Sequence, residues 1–260
     1  TSGMGTSSTK ASARHSLTCP RPGWIRHWPD DGRLAMAALT RISKHCWVTT
    51  SSFCAMNTVV VCGSGGAVVI DPGVTGDELD ELVAGLATLG VACVSGISTH
   101  PDWDHLLWHV GLGDVPRYAS GRAVAWLNAE RLAAARADAA PDAPGADLEL
   151  LGRVVPLPNE QLLEWAGPAL QLVVHDAHAP GHLGVVVATD GVLVAGDMLS
   201  DTEEPLLDLS ANDPVGDYLR GLDALERAAA GCEVVVPGHG RVARGAEIAA
   251  RIRRDRTLLS

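Results

Sequence analysis

Four short polar tips, each closing or following an apolar strand-like run, constrain this chain more than anything else in it. The densest is Thr99-His100-Pro101-Asp102-Trp103-Asp104-His105, directly after the apolar run Val91 to Ser98. The others are Pro180-Gly181-His182, Ala195-Gly196-Asp197 and Pro237-Gly238-His239. His and Asp are the ligand types that divalent metals take. Two imidazoles and two carboxylates within six consecutive residues are hard to explain as surface decoration. A fold that satisfies all four tips must bring one end of several strands to a common point. Such convergence can build a two-metal site, and so points to a hydrolase.

The runs between the tips predict the elements. Cys46 to Thr50, Thr58 to Cys62 and Ala67 to Ile70 read as strands, with Gly63-Ser64-Gly65-Gly66 as a turn. A phosphate-cradling role for that glycine cluster is the weaker reading, since neither a helix start nor a Lys follows it. A helix of about 76 to 89 carries Leu79, Leu82, Val83 and Leu86 at helical spacing, with Asp77, Glu78, Asp80 and Glu81 early in it, where the helix dipole favours anions. A second helix is expected over about 121 to 137, an exposed loop over 139 to 147, and a hairpin at Asp190-Gly191. A helix of about 215 to 230 precedes strand Val234 to Val236. A last helix carries Arg251, Arg253, Arg254 and Arg256, read as a solvated face.

Residues 1 to 35 are rich in Ser, Thr, Pro, Gly and Arg and read as a disordered leader, with His15 and His27 as spectators. Ordered patterning begins soon after Met36, so one domain is expected over 36 to 260. The net charge of −11 argues against nucleic acid as a partner. The six cysteines form no CxxC pair and read as buried reduced thiols. No window approaches the roughly 18 apolar residues of a membrane span, and no signal-peptide core is visible. The expectation is a cytoplasmic protein with a small-molecule substrate. Its oligomeric state stays open, a homodimer among the options.

Taken together, the tips resemble the metallo-β-lactamase superfamily. That family carries a His-x-His-x-Asp-His motif, a later His after Pro-Gly, an Asp after Gly, and a last His in Pro-Gly-His-Gly. The matching residues here are His100, Asp102, Asp104 and His105, then His182, Asp197 and His239. Asp71, closing Ile70-Asp71-Pro72-Gly73, matches a further feature. The resemblance implies an α+β fold, a four-layer αβ/βα sandwich of two mixed β-sheets flanked by helices. It implies one metal on His100, the residue at 102 and His182, and a second on Asp104, His105 and His239, with Asp197 as the bridge. Zinc is the first candidate, manganese or iron the alternatives.

Asp102 departs from the motif, where the family has its second His. A carboxylate is a harder ligand and adds negative charge. Three outcomes stay open: Asp102 ligates, it leaves the first site weak, or catalysis is lost. Flavodiiron oxidoreductases of the same superfamily place a carboxylate at this position and hold two irons, which keeps a redox reading alive. The leading expectation is a hydrolase using a metal-bound hydroxide, oriented by Asp104, on an ester, thioester or lactone. A non-catalytic metal-binding protein is the third reading. The loop 200 to 213 holds Asp201, Glu203, Glu204 and Asp208 and no basic residue, so a strongly anionic substrate would be repelled. His178 is expected to line the pocket as readily as not, and Trp108 to wall it or join the core. Asp71 is expected to support the ligand loops. His45, His109, His175 and Trp103 read as structural.

Overall fold

The computed structural model describes residues 39–260. The expectations for residues 1 to 35, His15 and His27 among them, lie outside the described residues. One sheet runs β1 (Thr40–Arg41), β2 (Cys46–Thr50), β3 (Asn57–Gly63), β4 (Gly66–Ile70), β5 (Cys93–Ile97), β6 (Arg117–Ala119) and β7 (Val155–Pro156), in that order. The other contains β8 (Leu162–Leu163), β9 (Leu170–His175), β10 (His182–Val187), β11 (Val192–Gly196), β12 (Val234–Pro237) and β13 (Ala243–Arg244), again neighbour to neighbour.

The strands read as unbroken apolar runs because both faces are covered. In β3, Val59 and Val61 enter the core between the sheets, while Val60 and Cys62 meet Leu82 and Leu86 of α1 (Gly76–Leu89). In β11, Val192 and Val194 face the inner core. Leu193 and Ala195 face the opposite way, onto a cluster with Leu222, Leu225, Ile248 and Ile252. The period-two alternation thus builds a helix–sheet–sheet–helix sandwich.

Two crossovers decide where the polar tips go. Helix α1 links β4 to β5, which pair in parallel, and helix Pro214–Ala229 links β11 to β12, also parallel. Parallel strands deliver their carboxyl ends to the same edge. Asp71 follows β4, His100 lies just beyond β5, Asp197 follows β11 and His239 closely follows β12.

Several local expectations are corrected. The helix predicted over 121 to 137 is broken into α2 (Gly121–Trp126) and α3 (Ala129–Ala139). Asn128 interrupts it as an N-cap, accepting from Arg131 N at 2.9 Å. The segment 139 to 147 is not simply an exposed loop: Ala139 and Ala143 are buried with Met56, Trp103, Leu106 and Leu107. The remaining helices are α4 (Pro214–Ala229) and α5 (Ala246–Leu258). Arg251 of α5 is not on a solvated face. It is buried and donates to Leu199 O and Arg241 O at 3.0 and 2.8 Å, with Glu247 one turn earlier as its carboxylate partner. Among the described residues five cysteines are free thiols, and burial pushes Cys46 up to about 12 and Cys93 up to about 11. No described helix is long and apolar enough to cross a membrane.

At the edge away from the tips, Asp190 ties the sheets together. It accepts from His45 N at 2.6 Å and from Ser43 Oγ at 2.5 Å, and faces His45 Nδ1 at 2.7 Å. Burial raises its carboxyl, but the bonds from His45 and Ser43 outweigh this and hold it at about 2. Its contribution to stability is therefore full above the unfolded carboxyl value near 4 and is lost as pH falls toward 2. Asp190→Asn is expected to lower unfolding free energy by about 1–3 kcal/mol at pH 7. Urea titrations of both chains at pH 7 and pH 3 check this, and the gap should narrow at the lower pH.

Candidate metal centre

The tips meet at one edge between the sheets, and Asp197 is the meeting point. Its Oδ2 lies 3.5 Å from His100 Nε2, 3.7 Å from His178 Nε2 and 3.4 Å from His239 Nε2, and its Oδ1 lies 3.2 Å from His105 Nε2. On one side, Asp102 Oδ2 stands 3.6 Å from His100 Nε2 and 3.2 Å from His178 Nε2. On the other, Asp104 Oδ2 stands 3.6 Å from His105 Nε2 and 3.2 Å from His239 Nε2. Donor atoms of His100, His178 and Asp197 all lie within 4.8 Å of one another, as do those of Asp104, His105 and His239. A third such group joins Asp197 and His239 to Glu203.

The backbone is arranged to permit this crowding. Asp71 has φ 49°, uncommon for a residue with a side chain. Its carboxylate accepts from Thr99 N at 2.8 Å and Thr99 Oγ1 at 2.7 Å, and lies 3.0 Å from His105 Nδ1. One side chain thereby braces the start of the His100–His105 loop and adjoins the last imidazole in it. Gly238 is demanded by close approach, since a Cβ there would sit 1.9 Å from Asp197 Oδ1. Asn57 pins the same loop by donating to Pro237 O and Gly240 O at 3.0 and 2.8 Å. His239 donates through Nδ1 to Cys54 O at 3.0 Å.

Electrostatics follow from burial against charge. Burial and His105 oppose a proton on His100, but Asp197 and Asp102 hold it up at about 9. Burial opposes one on His239, yet Asp197 and Asp104 raise it to about 10. Burial also works against the Asp102 and Asp197 carboxylates, and the surrounding imidazoles still keep both well below the usual range. Such a set is built to hold positive charge. His100 Nε2 and Asp197 Oδ1 are buried without a hydrogen-bond partner. Buried ring nitrogens and carboxylate oxygens left without hydrogen bonds in one cluster fit a cation held among them.

His100, Asp102, Asp104, His105, Asp197 and His239 arrive together, with His182 stacked on His100 at a ring-centroid distance of 5.0 Å. His178, expected only as a pocket residue, stands inside the cluster. His182 points its Nε2 at the Asp197 backbone, whose N–H donates to it at 3.1 Å, and stacks on His175. Trp108 does not wall the site: it is buried under α1 with Val69, Leu82 and Leu86 and donates to Gly113 O at 3.2 Å. Trp103 is core, edge-on to Phe53. His109 caps a short 3-10 turn and meets Asp80 away from the cluster. Glu203 was legible only as one of several loop acids, and nothing in its spacing separates it from Glu204.

The family model of the metallo-β-lactamase superfamily matches residues 52–239, most of the chain and every member of the cluster. This chain belongs to the metallo-β-lactamase superfamily. Solved structures agree on the fold. A metallo-β-lactamase from Pontibacter korlensis is 20% identical, with 86% of this chain and 99% of that one covered and a TM-score of 0.60. A β-lactamase domain protein from Burkholderia ambifaria is 19% identical, with 91% and 78% covered and a TM-score of 0.64. A metallo-β-lactamase from Pseudomonas aeruginosa, crystallised in a mono-zinc form, is 14% identical, with 86% and 96% covered and a TM-score of 0.61. No curated protein matches. The four-layer sandwich of the superfamily is thus the fold of this chain, and its candidate ligands lie at the edge where the parallel strands end.

Proposed function

We propose that this metallo-β-lactamase-fold protein is a metal-dependent hydrolase of a small, neutral or weakly charged ester, thioester or lactone. The observation that carries the reading is a pair of nitrogen–oxygen donor groups, His100, His178 and Asp197 beside Asp104, His105 and His239, with Asp197 also 3.2 Å from His105 Nε2 and 3.4 Å from His239 Nε2. Asp104, His105 and His239 would hold one divalent ion, and His100 and Asp102 would contribute to the other. Bound there, two divalent ions would make water nucleophilic near neutral pH and polarise the acyl oxygen. Asp104 is placed to orient that water, because its carboxylate adjoins both His105 and His239. Glu203 brings further negative charge beside Asp197 and His239, which disfavours anionic substrates. Asp201 contributes less to that field, since Arg241 pairs with it at 2.7 Å.

The test is turnover of an aliphatic ester, an acyl thioester and a γ-lactone by zinc-loaded, chelator-stripped and reloaded protein. Hydrolysis of one class that disappears on stripping and returns on reloading is expected. A two-metal protein that turns over none of them overturns the reading. The hard donor Asp102 favours a second reading, a di-iron redox protein. That reading predicts visible absorption and oxygen or peroxide turnover in iron-loaded protein.

Two variants probe the centre. Asp71→Ala leaves His105 Nδ1 without its carboxylate and should weaken metal binding by roughly 10–100-fold. A chelator-competition titration measures this. Asp102→His removes one negative charge, so nucleophilic water becomes easier to deprotonate. The rate optimum should move to lower pH than in the wild type, and coincident pH–rate profiles would contradict this charge argument.

A further inference from the structure

Resting on the two-metal reading above, we infer that His178, and not His182, completes the first metal site with His100, Asp102 and Asp197. The distinction lies in which ring nitrogen each histidine has to give. His100 Nδ1 lies 2.9 Å from Thr99 Oγ1. That hydroxyl spends its one proton on Asp71, so toward His100 it accepts. His105 Nδ1 faces Asp71 Oδ2 at 3.0 Å. His239 Nδ1 faces Cys54 O, and His178 Nδ1 faces Leu206 O, each at 3.0 Å. Each of these Nδ1 atoms faces an accepting oxygen, so Nε2 is the nitrogen that all four rings turn to the carboxylates and the one each would give to a metal.

His182 has the reverse arrangement. Its Nε2 accepts from the Asp197 backbone N–H at 3.1 Å, which occupies the lone pair. Its Nδ1 faces His175 Nε2 at 3.3 Å. The ring closely approaches Gly196, where a Cβ would come within 2.4 Å of Nε2. His182 therefore holds the backbone of the shared ligand rather than a metal.

A tight loop brings His178 forward. Gly181, at φ 69°, donates to Asp176 Oδ1 at 2.8 Å and accepts from Ser120 Oγ at 2.6 Å. The intervening residues are folded back so that His178 Nε2 lies 3.2 Å from Asp102 Oδ2. The two departures are linked. A carboxylate at position 102 reaches less far from the backbone than an imidazole, and the His178 ring occupies the space on its far side. The resulting donor set is two imidazoles and two carboxylates.

Elemental analysis of zinc-dialysed, gel-filtered wild type, His178→Ala and His182→Gln decides the matter. Gln keeps an acceptor for the Asp197 N–H. We expect two zinc per chain in wild type, one in His178→Ala, and two in His182→Gln with a lowered Tm. A metal count unchanged by His178→Ala overturns the assignment, as does an equal loss in both variants. Wild type that binds no metal overturns the two-metal reading itself. Cadmium-113-loaded wild type provides a measurement that needs no variant to fold. Scalar coupling from cadmium to the His178 ring protons is expected, and coupling to those of His182 overturns the assignment.

Discussion

Asp197→Ala is expected to empty both halves of the centre and to cut turnover by more than roughly 10³-fold, because metal activation of water and acyl oxygen contributes several kcal/mol. Among the described residues, Asp197 alone stands within 3.2–3.7 Å of His100, His105, His178 and His239. No neighbouring carboxylate duplicates that position: Asp102 serves one side and Asp104 the other. Metal content and kcat should therefore fall together. Two metals retained in the variant would transfer the bridging role to Glu203, whose carboxylate also lies near His239.

The second large effect is on stability and falls on a residue away from the reacting atoms. Glu78 is buried and accepts from Ser51 Oγ at 2.8 Å, Ser52 N at 2.9 Å, Val74 N at 3.0 Å and Thr75 N at 3.1 Å. It ties the start of α1 to the segment that carries Cys54 and Met56. Cys54 O receives the proton of His239 Nδ1, and Met56 pairs with His239 across an isolated bridge. Glu78→Ala should cost about 3–5 kcal/mol, since each buried donor left without a partner costs about 1–3 kcal/mol. Glu78→Gln should cost less, because its one oxygen still accepts. Urea unfolding measures both. A loss under about 1 kcal/mol in the Ala variant would mean that water replaces the carboxylate.

Much of this was readable in the sequence, for a physical reason. Strands covered on both faces leave continuous apolar runs, and Val59 to Cys62 and Val192 to Ala195 could hardly be anything else. Parallel pairing then sends Asp71, His100, Asp197 and His239 to one edge, so the cluster followed from the order of runs and tips. The choice between His178 and His182 was not readable, because His178 lies in the short loop leading into His182, the first residue of β10, and the path of that loop depends on Asp176, Ser120 and Gly181. Arg251 looked like part of a solvated basic run, since its targets are backbone carbonyls of Leu199 and Arg241, which leave no mark in a sequence. The role of Glu78 had a signal, Thr75-x-x-Glu78, the spacing of a capping box, although nothing in it foretells the bonds to Ser51 and Ser52. Trp108 could have faced either way, and its packing on Gly96 turned it into the core beneath α1.

The candidate ligands come from both sheets, His100 to His105 from one and His178, Asp197 and His239 from the other. An ion seated among them would act as a rivet through the sandwich, because neither layer could peel away without releasing it. Ligands that bind only the folded state lower the population of opened chains in proportion to their saturation. Metal supply would then govern the lifetime of the protein as well as its turnover. Limited proteolysis should run faster in chelator than in zinc, with the earliest cuts where the two layers part.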